Sequence, residues 1–545
     1  MDSVGRSTPN QHRIRLIPLM IALFCLAVIA AAFALSVQVL EGLPHIEDEM
    51  AYDWQARLIA RGKLTVPTPP ICPKCFLVPF VVDYEGQRFG KYPLGWPALL
   101  AFGHLPIASG LPYARNLINP ILAGAAIWLT YRLVRKVLNE PTALLTAFLM
   151  AASPFVLMNS ALLLSHAWAL FLTLAFCLGW LDAFTTPNRL LPERAQRSLP
   201  ALVAALALGM LALTRPMTAV AVAAPFALHG LYLLIRGPAA ARLRLVMVGL
   251  IAGTLALLVF VWQFAVTGDP FLNPYTLWWP YDQAGFGPGH GLQPGGFQPV
   301  HGAANTLANL YSGADDLFGW MGLSYLFIPL GIIAIRRNLR ALLVCAPLFT
   351  LIAAYFTYWM SATLVGPRYY YEGVYSAALL SAAGMVWLGR HLARLKIGLR
   401  SSTARTRAWV ILPHLWRRPL LSLLVGAVSF LVVYNLAFYM PVRLRGLYGL
   451  YGVSRRCYRA FETPAARRLT PALVAVPVED KWIEYGCMLD LTSPFFDSDY
   501  VLIVSAGFQK DAAIADTLPG RRLLYYYPKT GKLVEAVRGS GEIRE

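Results

Sequence analysis

Residues 17–39 read IPLMIALFCLAVIAAAFALSVQV, a run of 23 residues without a charged side chain. An apolar helix of about 20 residues is long enough to cross the hydrocarbon core of a bilayer. The whole 545-residue chain has the same character, since 57% of its residues are hydrophobic and only 14% are charged. Soluble globular chains are roughly one quarter charged, and disordered chains are poor in hydrophobic residues. The composition therefore predicts an integral membrane protein and excludes both of these classes.

Eleven apolar stretches predict an all-α polytopic membrane module at residues 17–440, with about 11 transmembrane helices. They are residues 17–39, 113–135, 142–158, 160–183, 199–213, 217–235, 243–266, 319–335, 341–359, 369–390 and 419–440. The first stretch is too long for the core of a signal peptide and lacks a convincing cleavage site, so we expect it to be a retained helix. Residues 94–107 are too short to span and are predicted to be re-entrant or interfacial.

The distribution of basic residues predicts which side of the membrane each loop occupies. Cytoplasmic loops are enriched in Lys and Arg. With residues 1–16 inside, the six inner segments hold 23 of the 47 basic residues and four of the 28 acidic ones, so they carry the whole net charge of +19. This predicts a multi-pass protein of the plasma (inner) membrane with a cytoplasmic N-terminus. No nucleic-acid partner is needed to explain the charge, and the long segments 40–112, 267–318 and 441–545 are predicted to lie outside.

Residues 441–545 predict a small soluble α/β domain on the outer face, periplasmic or extracellular. Strand-like runs at 473–478, 500–505 and 522–527 alternate with helix-like runs at 482–489 and 511–518. No nucleotide-binding motif is present, and the role of the domain stays open between acceptor binding, partner binding and cover for the outer face. Cys72 and Cys75 allow a disulfide, whereas zinc would need two further ligands at a useful spacing. A disulfide between Cys457 and Cys487 is an open question.

Three adjacent acids, Glu47, Asp48 and Glu49, begin the first outer loop. Repulsion among them favours a raised pKa for at least one, as a general base requires. The simpler interpretation is a solvated acidic start of a helix. The pattern at residues 50–60 predicts that this helix lies along the membrane surface.

Lys91 and Tyr92 open the segment KYPLGWP at residues 91–97, which predicts either a shaped turn at the interface or part of an ordinary aromatic belt. The aromatic segment around Asp282, at residues 274–282, suits either stacking on sugar rings or burial at the interface. His166 is placed inside an apolar stretch, either as a site residue or as a packing residue.

Arg215 and Arg368 occupy positions at membrane depth, where an arginine is costly. Both are predicted to reach a phosphate at the outer headgroup level, because a guanidinium donates two parallel hydrogen bonds to phosphate. Snorkelling towards water is the alternative for both. For Arg368 an internal pair with Glu372 is a further alternative, since the two residues are four apart.

Four elements together resemble the C-type (GT-C) membrane glycosyltransferases, in the branch of protein O-mannosyltransferases, lipid A aminoarabinose transferases and rhizobial galacturonosyltransferase-like proteins. The elements are Asp48-Glu49 followed by Tyr52, a helix and Gly62; residues 91–97; Arg215-Pro216; and Gly366-Pro367-Arg368-Tyr369. The resemblance covers about residues 15–390. The tail does not resemble the β-trefoil insert of eukaryotic O-mannosyltransferases.

The resemblance implies an inverting transfer of a hexosyl or pentosyl group from a polyprenyl-phosphate donor to a hydroxyl of a lipid, glycan or protein. Asp48 would be the general base, and Glu49 would position the acceptor or Asp48. Which carboxylate acts stays open, because Glu47 makes the pair a triplet. The expected substrate-binding residues are Lys91, Tyr92, His166, Arg215, Arg368 and Tyr369. No cofactor is strongly implied; no metal ligands are predicted, and a divalent cation is left open.

Two other functions compete with this interpretation. A secondary transporter or flippase of lipid-linked sugars would be expected to show internal repeats and ionisable residues at the membrane midplane, and the sequence has no repeat and few such residues. A non-catalytic membrane scaffold that presents the tail to partners would not need Asp48.

Overall fold

The computed structural model describes residues 9–108, 110–185, 193–394, 419–478, 482–536 and 543–544. Residues 395–418, which make up most of the last predicted inner segment, lie outside the described residues, as do residues 1–8 and 186–192 of two others. The predictions about the charge of these inner segments are therefore stated for the sequence alone.

Helices form most of the described chain. In chain order they are α1 (Pro9–Ala34, continued by a π-helix at Leu35–Val39), α2 (Glu47–Ala60), α3 (Gly95–Leu100), α4 (Ala114–Val137), α5 (Glu140–Ala151), α6 (Pro154–Ala161), α7 (His166–Phe184), α8 (Glu193–Thr214), α9 (Pro216–Arg236), α10 (Ala239–Thr267), α11 (Pro274–Trp278), α12 (Pro299–Asp316), α13 (Ile328–Ile335), α14 (Leu339–Tyr355), α15 (Val374–Arg394), α16 (Pro419–Tyr434), α17 (Met440–Arg445), α18 (Arg459–Glu462), α19 (Pro464–Arg467) and α20 (Phe508–Asp516). Each predicted apolar stretch overlaps at least one of them.

Among the described residues, seven helices are long and apolar enough to cross a membrane, and an eighth span results if α5 and α6, bent by 54°, count as one. The chain is therefore a multi-pass membrane protein. The count of eleven spans stays a prediction, because α14 is shorter than a full span and α13 has only eight residues. The predicted span at 319–335 begins with an irregular segment, in which Gly319 and Gly322 adopt left-handed backbone conformations that break a helix.

The predicted span at 160–183 is also interrupted, at residues 162–165, so that His166 begins α7 instead of lying two turns inside a helix. The non-helical backbone here is buried, and buried backbone groups need partners when no water is present. Asn119 donates to the carbonyls of Leu162 and Leu164, at 2.6 and 2.8 Å, and Trp96 donates to that of Leu163 at 2.8 Å. These side chains of α3 and α4 therefore stabilise the non-helical segment by satisfying its carbonyl groups.

Helix α2 is buried between two parts of the protein, and its position along the membrane surface stays a prediction. Its side chains are buried on two sides: Ala51 and Tyr52 pack with residues of the bundle such as Met158, whereas Met50 packs with residues of the tail such as Met488. The predicted surface helix is therefore an internal layer between the membrane module and the tail. Residues 94–107 form α3 and 3-10 turns and do not span, as predicted.

Two small sheets complete the fold. The first outer loop forms an antiparallel sheet in the order β1-β3-β2 (Val66–Pro67, Gln87–Gly90 and Val81–Tyr84). The tail forms a five-stranded sheet in the order β5-β4-β6-β7-β8, from Tyr500–Val504, Ala472–Val476, Arg522–Tyr527, Lys532–Ala536 and Ile543–Arg544. Strand β4 runs parallel to both β5 and β6. Helix α20 connects β5 to β6, which is the predicted α/β pattern.

Both faces of the tail sheet pack against the first outer loop as well as against the tail itself. Leu43 and Met50 pack on the face that carries Val474. Cys75 and Phe76 pack on the opposite face with Ile514 of α20. Cys72 is disulfide-bonded to Cys75 and Cys457 to Cys487. The tail and the loop of the membrane module therefore share their hydrophobic cores, and the predicted domain boundary at residue 441 stays a prediction.

Candidate active site

One end of the helix bundle encloses a cavity of about 840 Å³ between the long loops, the tail and helices α9 and α10. Six of the eight predicted site residues line it, although they are spread over more than 300 positions of the sequence: Asp48, Lys91, Tyr92, Arg215, Arg368 and Tyr369. Glu49 and His166 lie behind its wall. Glu47, the third acid of the triplet, lines the cavity beside Asp48.

Asp48 is held at the start of α2 by a cation and a phenol. Nη1 of Arg368 lies 3.0 Å from one carboxylate oxygen, and the hydroxyl of Tyr92 donates a hydrogen bond to the other. Burial alone would raise the pKa of Asp48, but Arg368, Tyr92 and Lys91 together outweigh it and hold the pKa below its ordinary value. Asp48 is therefore ionised at neutral pH and able to accept a proton.

Glu49 has a different environment from its neighbour. Its carboxylate accepts hydrogen bonds from the backbone N–H groups of His45, Ile46 and Leu163, at 3.0, 3.1 and 2.5 Å. Burial raises the pKa of Glu49 to about 7 in spite of these bonds. With only 1% of its surface exposed, Glu49 connects α2 to the break before α7.

Lys91 lies in a cage of aromatic rings at the cavity wall. Its ammonium is 3.7 Å from the ring centroid of Phe80 and 4.8 Å from those of Tyr275 and Trp279, and it donates to Asp282 at 3.1 Å. Burial lowers the pKa of Lys91, although Asp282 opposes the shift. Cation–π contacts of this kind hold a desolvated ammonium in place.

Arg215, in the turn between α8 and α9, is fixed by hydroxyls and a buried acid. It donates to Tyr355 at 3.0 Å and to Ser165 at 3.3 Å, and its Nε is 3.3 Å from Glu372. Glu372 is fully buried, and Nδ1 of His166 is 3.5 Å from the same carboxylate oxygen. His166 packs edge-on against Tyr371 and is 2% exposed, so it contributes to the layer behind the cavity.

The alternative pairing of Arg368 with Glu372 is not formed, because Arg368 pairs with Asp48 and Glu372 with Arg215. Residues Arg368–Gly373 form a 3-10 helix, which has three residues per turn, so that residues four apart do not share a face. Tyr369 stacks on Tyr355, with ring centroids 4.8 Å apart, and lines the cavity between the two arginines.

The cavity has an apolar wall towards the lipid. Met217 of α9 and Val259, Phe260 and Trp262 of α10 line it. Their neighbours on the outside of the same helices are exposed apolar side chains, among them Val261 at 60%. An amphiphilic molecule with a polar head and an apolar chain therefore matches the two sides of this cavity.

Three groups of the site, Asp282, Glu372 and Trp482, are not among the eight predicted site residues. Asp282 accepts from Tyr358 at 2.6 Å and from Trp359 at 3.1 Å in addition to Lys91, and thereby joins three segments of the chain. Glu372 had been weighed only as a partner of Arg368. Trp482 of the tail, which lines the cavity, carries no motif that would have identified it.

Within the part of the chain that the structure describes, no three His, Cys, Asp or Glu side chains are grouped so that they could hold a metal ion. Among the acids that line the cavity, Asp48 pairs with Arg368 and Asp282 with Lys91. A requirement for a divalent cation stays an open expectation.

By sequence, the chain matches no protein-family model and no curated protein. By structure it is similar to ArnT from Cupriavidus metallidurans bound to undecaprenyl phosphate, with a TM-score of 0.55, 13% identity and coverage of 93% of both chains. The apo state of ArnT gives a TM-score of 0.55 at 14% identity, again over 93% of both chains. For the apo Archaeoglobus fulgidus oligosaccharyltransferase the TM-score is 0.49 at 14% identity, over 92% of this chain and 69% of that one. The likeness to ArnT confirms the C-type glycosyltransferase fold implied by the sequence elements.

Proposed function

We propose that this chain, which has the fold of the C-type membrane glycosyltransferases, transfers a sugar from a polyprenyl-phosphate-linked donor to an acceptor hydroxyl at the outer face of the plasma membrane. One observation carries the proposal: the ionised carboxylate of Asp48 pairs with Arg368 on the wall of a cavity that Lys91 and Arg215 also line. Such a cavity offers a proton acceptor for a hydroxyl and three cations for a phosphate.

The reaction follows from these charges. The acceptor oxygen attacks the anomeric carbon from the side opposite the phosphate, the bond from that carbon to the phosphate oxygen breaks, and the configuration inverts. The electron pair leaves on the lipid phosphate, and the acceptor proton passes to Asp48. Arg368, Arg215 and Lys91 stabilise the negative charge that develops on the phosphate.

The low pKa of Asp48 in the free protein is compatible with this role. A hydroxyl becomes strongly acidic once its oxygen bonds to the anomeric carbon, so even a weak base accepts its proton late in the step. Arg368 is the main group that lowers the pKa of Asp48. When Arg368 turns to the donor phosphate, that effect weakens, and the binding of the donor makes Asp48 a stronger base.

The apolar wall of the cavity supports a lipid-linked donor. Val259 and Phe260 connect the polar interior to the exposed apolar surface of α10. A polyprenyl chain remains in the bilayer while its phosphate enters between the loops. A nucleotide sugar would not need this wall.

The test uses the full chain reconstituted in lipid vesicles with a radiolabelled polyprenyl-phosphate sugar and a membrane extract that supplies acceptors. We expect release of polyprenyl phosphate and labelled product from the parent chain. Asp48→Asn should reduce the rate about 100- to 10,000-fold, which is the usual contribution of a general base. Glu85→Gln, which changes an exposed acid of the same loop, serves as the matched control.

Two other outcomes would reject the proposal. Movement of the label across the bilayer without transfer would favour a flippase, and full activity of Asp48→Asn would remove the assigned base. Addition of EDTA to the same assay tests the divalent cation, because a requirement would abolish transfer in the parent chain.

A further inference from the structure

The tail contributes part of the cavity wall that faces Asp48. Tyr451, Trp482 and Ile483 of the tail line the cavity together with the apolar residues of α9 and α10. Trp482 lies close enough to Glu47, the residue directly before Asp48, to oppose the rise in the pKa of Glu47 that burial causes. The tail therefore contributes to the cavity in which Glu47 and Asp48 lie.

The two aromatic rings are arranged as a platform. The ring centroids of Tyr451 and Trp482 are 5.6 Å apart and the ring planes are inclined by 64°. Tyr451 remains 41% exposed although it lines the cavity, so its face is available to a ligand. Aromatic faces carry partial negative charge and attract the C–H bonds of a sugar ring, while a nearby carboxylate accepts hydrogen bonds from sugar hydroxyls.

Local backbone features hold the platform in position. Tyr451 has a φ of 54°, in the left-handed region that non-glycine residues seldom adopt, and strain of this kind concentrates at ligand-binding sites. The indole of Trp482 packs directly on Gly486: a Cβ at this glycine would be 2.7 Å from Cε3 of the indole. A larger residue at position 486 would displace the indole from the cavity.

We propose that Tyr451, Trp482 and Glu47 form the acceptor subsite and that the acceptor is a carbohydrate, whose ring stacks on the platform while one hydroxyl points at Asp48. This inference rests on the proposed glycosyl transfer and narrows its acceptor from any hydroxyl to that of a sugar. A protein acceptor would present an extended backbone, which gains little binding energy from two inclined aromatic faces. The test below includes a peptide, so that binding of a protein acceptor would be detected.

The test measures sugar binding without the donor. The full chain in lipid nanodiscs is examined by saturation-transfer difference NMR with a set of methyl pyranosides and with a serine- and threonine-containing pentapeptide. We expect enhancement of ring protons for at least one pyranoside, reduced about tenfold in Trp482→Ala and in Tyr451→Ala because a stacking face is lost. Trp482→Phe should retain most of the signal.

Tyr448→Ala is the matched control, since Tyr448 is an aromatic residue of the same segment that is 48% exposed and does not line the cavity. Absence of pyranoside enhancement in the parent, an equal signal in Trp482→Ala, or enhancement of the pentapeptide alone would overturn the inference. If the parent chain transfers the sugar but Trp482→Ala and Tyr451→Ala show the same pyranoside enhancement as the parent, the acceptor subsite is rejected and the proposed function is retained. Platform-dependent sugar binding without any transfer by the parent would instead reject the proposed function.

Discussion

Replacement of Asp490 by Asn is expected to loosen the tail from helix α2, which carries Asp48. Asp490 receives two parallel bonds from Arg115, at 2.7 and 3.1 Å, and pairs with Arg57. The same two arginines pair with Asp53 of α2, both at 2.8 Å. We call Asp53, Arg57, Arg115 and Asp490 the tail clamp, because its four charges connect α2, α4 and the tail.

The magnitude follows from the burial of the clamp. None of its side chains is more than 21% exposed, so the charges are poorly compensated by water. The Asn variant leaves two cations with a single carboxylate. Loss of one partner from a buried ion pair costs about 3–5 kcal/mol. We take about 3 kcal/mol, because Asn retains one hydrogen-bond acceptor, and this raises the opening equilibrium of the tail roughly a hundredfold.

The assay is limited proteolysis of the folded full chain, in which the cleavage rate follows the population of the open tail when closing is fast. Asp497→Asn is the matched control, because Asp497 also joins the tail to α2, through Arg61, but is 49% exposed. An exposed pair contributes about 0–1 kcal/mol, so its loss changes the rate less than about sixfold. Equal cleavage rates for Asp490→Asn and Asp497→Asn would show that burial does not strengthen the ion pairs of the tail clamp.

The tail clamp should also open in acid, because its two carboxylates have pKa values below those of a free aspartate. The stability that they contribute is complete above about pH 4 and is lost as the pH falls below it. Limited proteolysis at graded pH measures this loss, and an unchanged cleavage rate at pH 2–3 would contradict it. Arg368→Gln should raise the pKa of Asp48 and move the acidic limb of the transfer rate to higher pH, whereas an unmoved limb would exclude Arg368 as the controlling cation. Glu372→Gln should lower transfer roughly 10- to 100-fold by releasing Arg215, and a parent rate would show that the buried acid does not position it.

Hydropathy predicted the membrane module because it is a property of composition over some 20 residues. The helices are interrupted within two predicted spans, where a local feature overrides the average. Residues 319–335 contain left-handed glycines, and residues 162–165 are held out of helix by side chains of α3 and α4, which come from elsewhere in the sequence. The burial of α2 on two sides could not be predicted for a related reason: its second apolar side packs on the tail, and an amphipathic pattern cannot show a second partner.

Arg215 and Arg368 are predicted as site residues because an arginine is costly at membrane depth, whereas Asp48 and Lys91 are predicted through the resemblance to the C-type glycosyltransferases. All four residues line one cavity. For Asp282 the sequence leaves sugar stacking and burial as alternatives, because its three donors come from distant segments of the chain. The spacing rule for helices failed at Arg368 because the segment is a 3-10 helix.

The choice between the acids could not be made from sequence, because Glu47, Asp48 and Glu49 are adjacent and chemically similar. The fold separates them by direction. Glu49 turns inward to three backbone N–H groups, whereas Asp48 turns to the cavity and Arg368. Glu47 faces the cavity as well, so the assignment of the base to Asp48 rests on its ion pair and on its ionised state.

The transfer rates of Asp48→Asn and Glu47→Gln, measured side by side with saturating polyprenyl-phosphate sugar, decide whether Asp48 is the base. We expect a loss of about 100- to 10,000-fold for Asp48→Asn, with donor binding retained, and less than about tenfold for Glu47→Gln. The reverse order of the two variants, or transfer by Asp48→Asn at the parent rate, would contradict it.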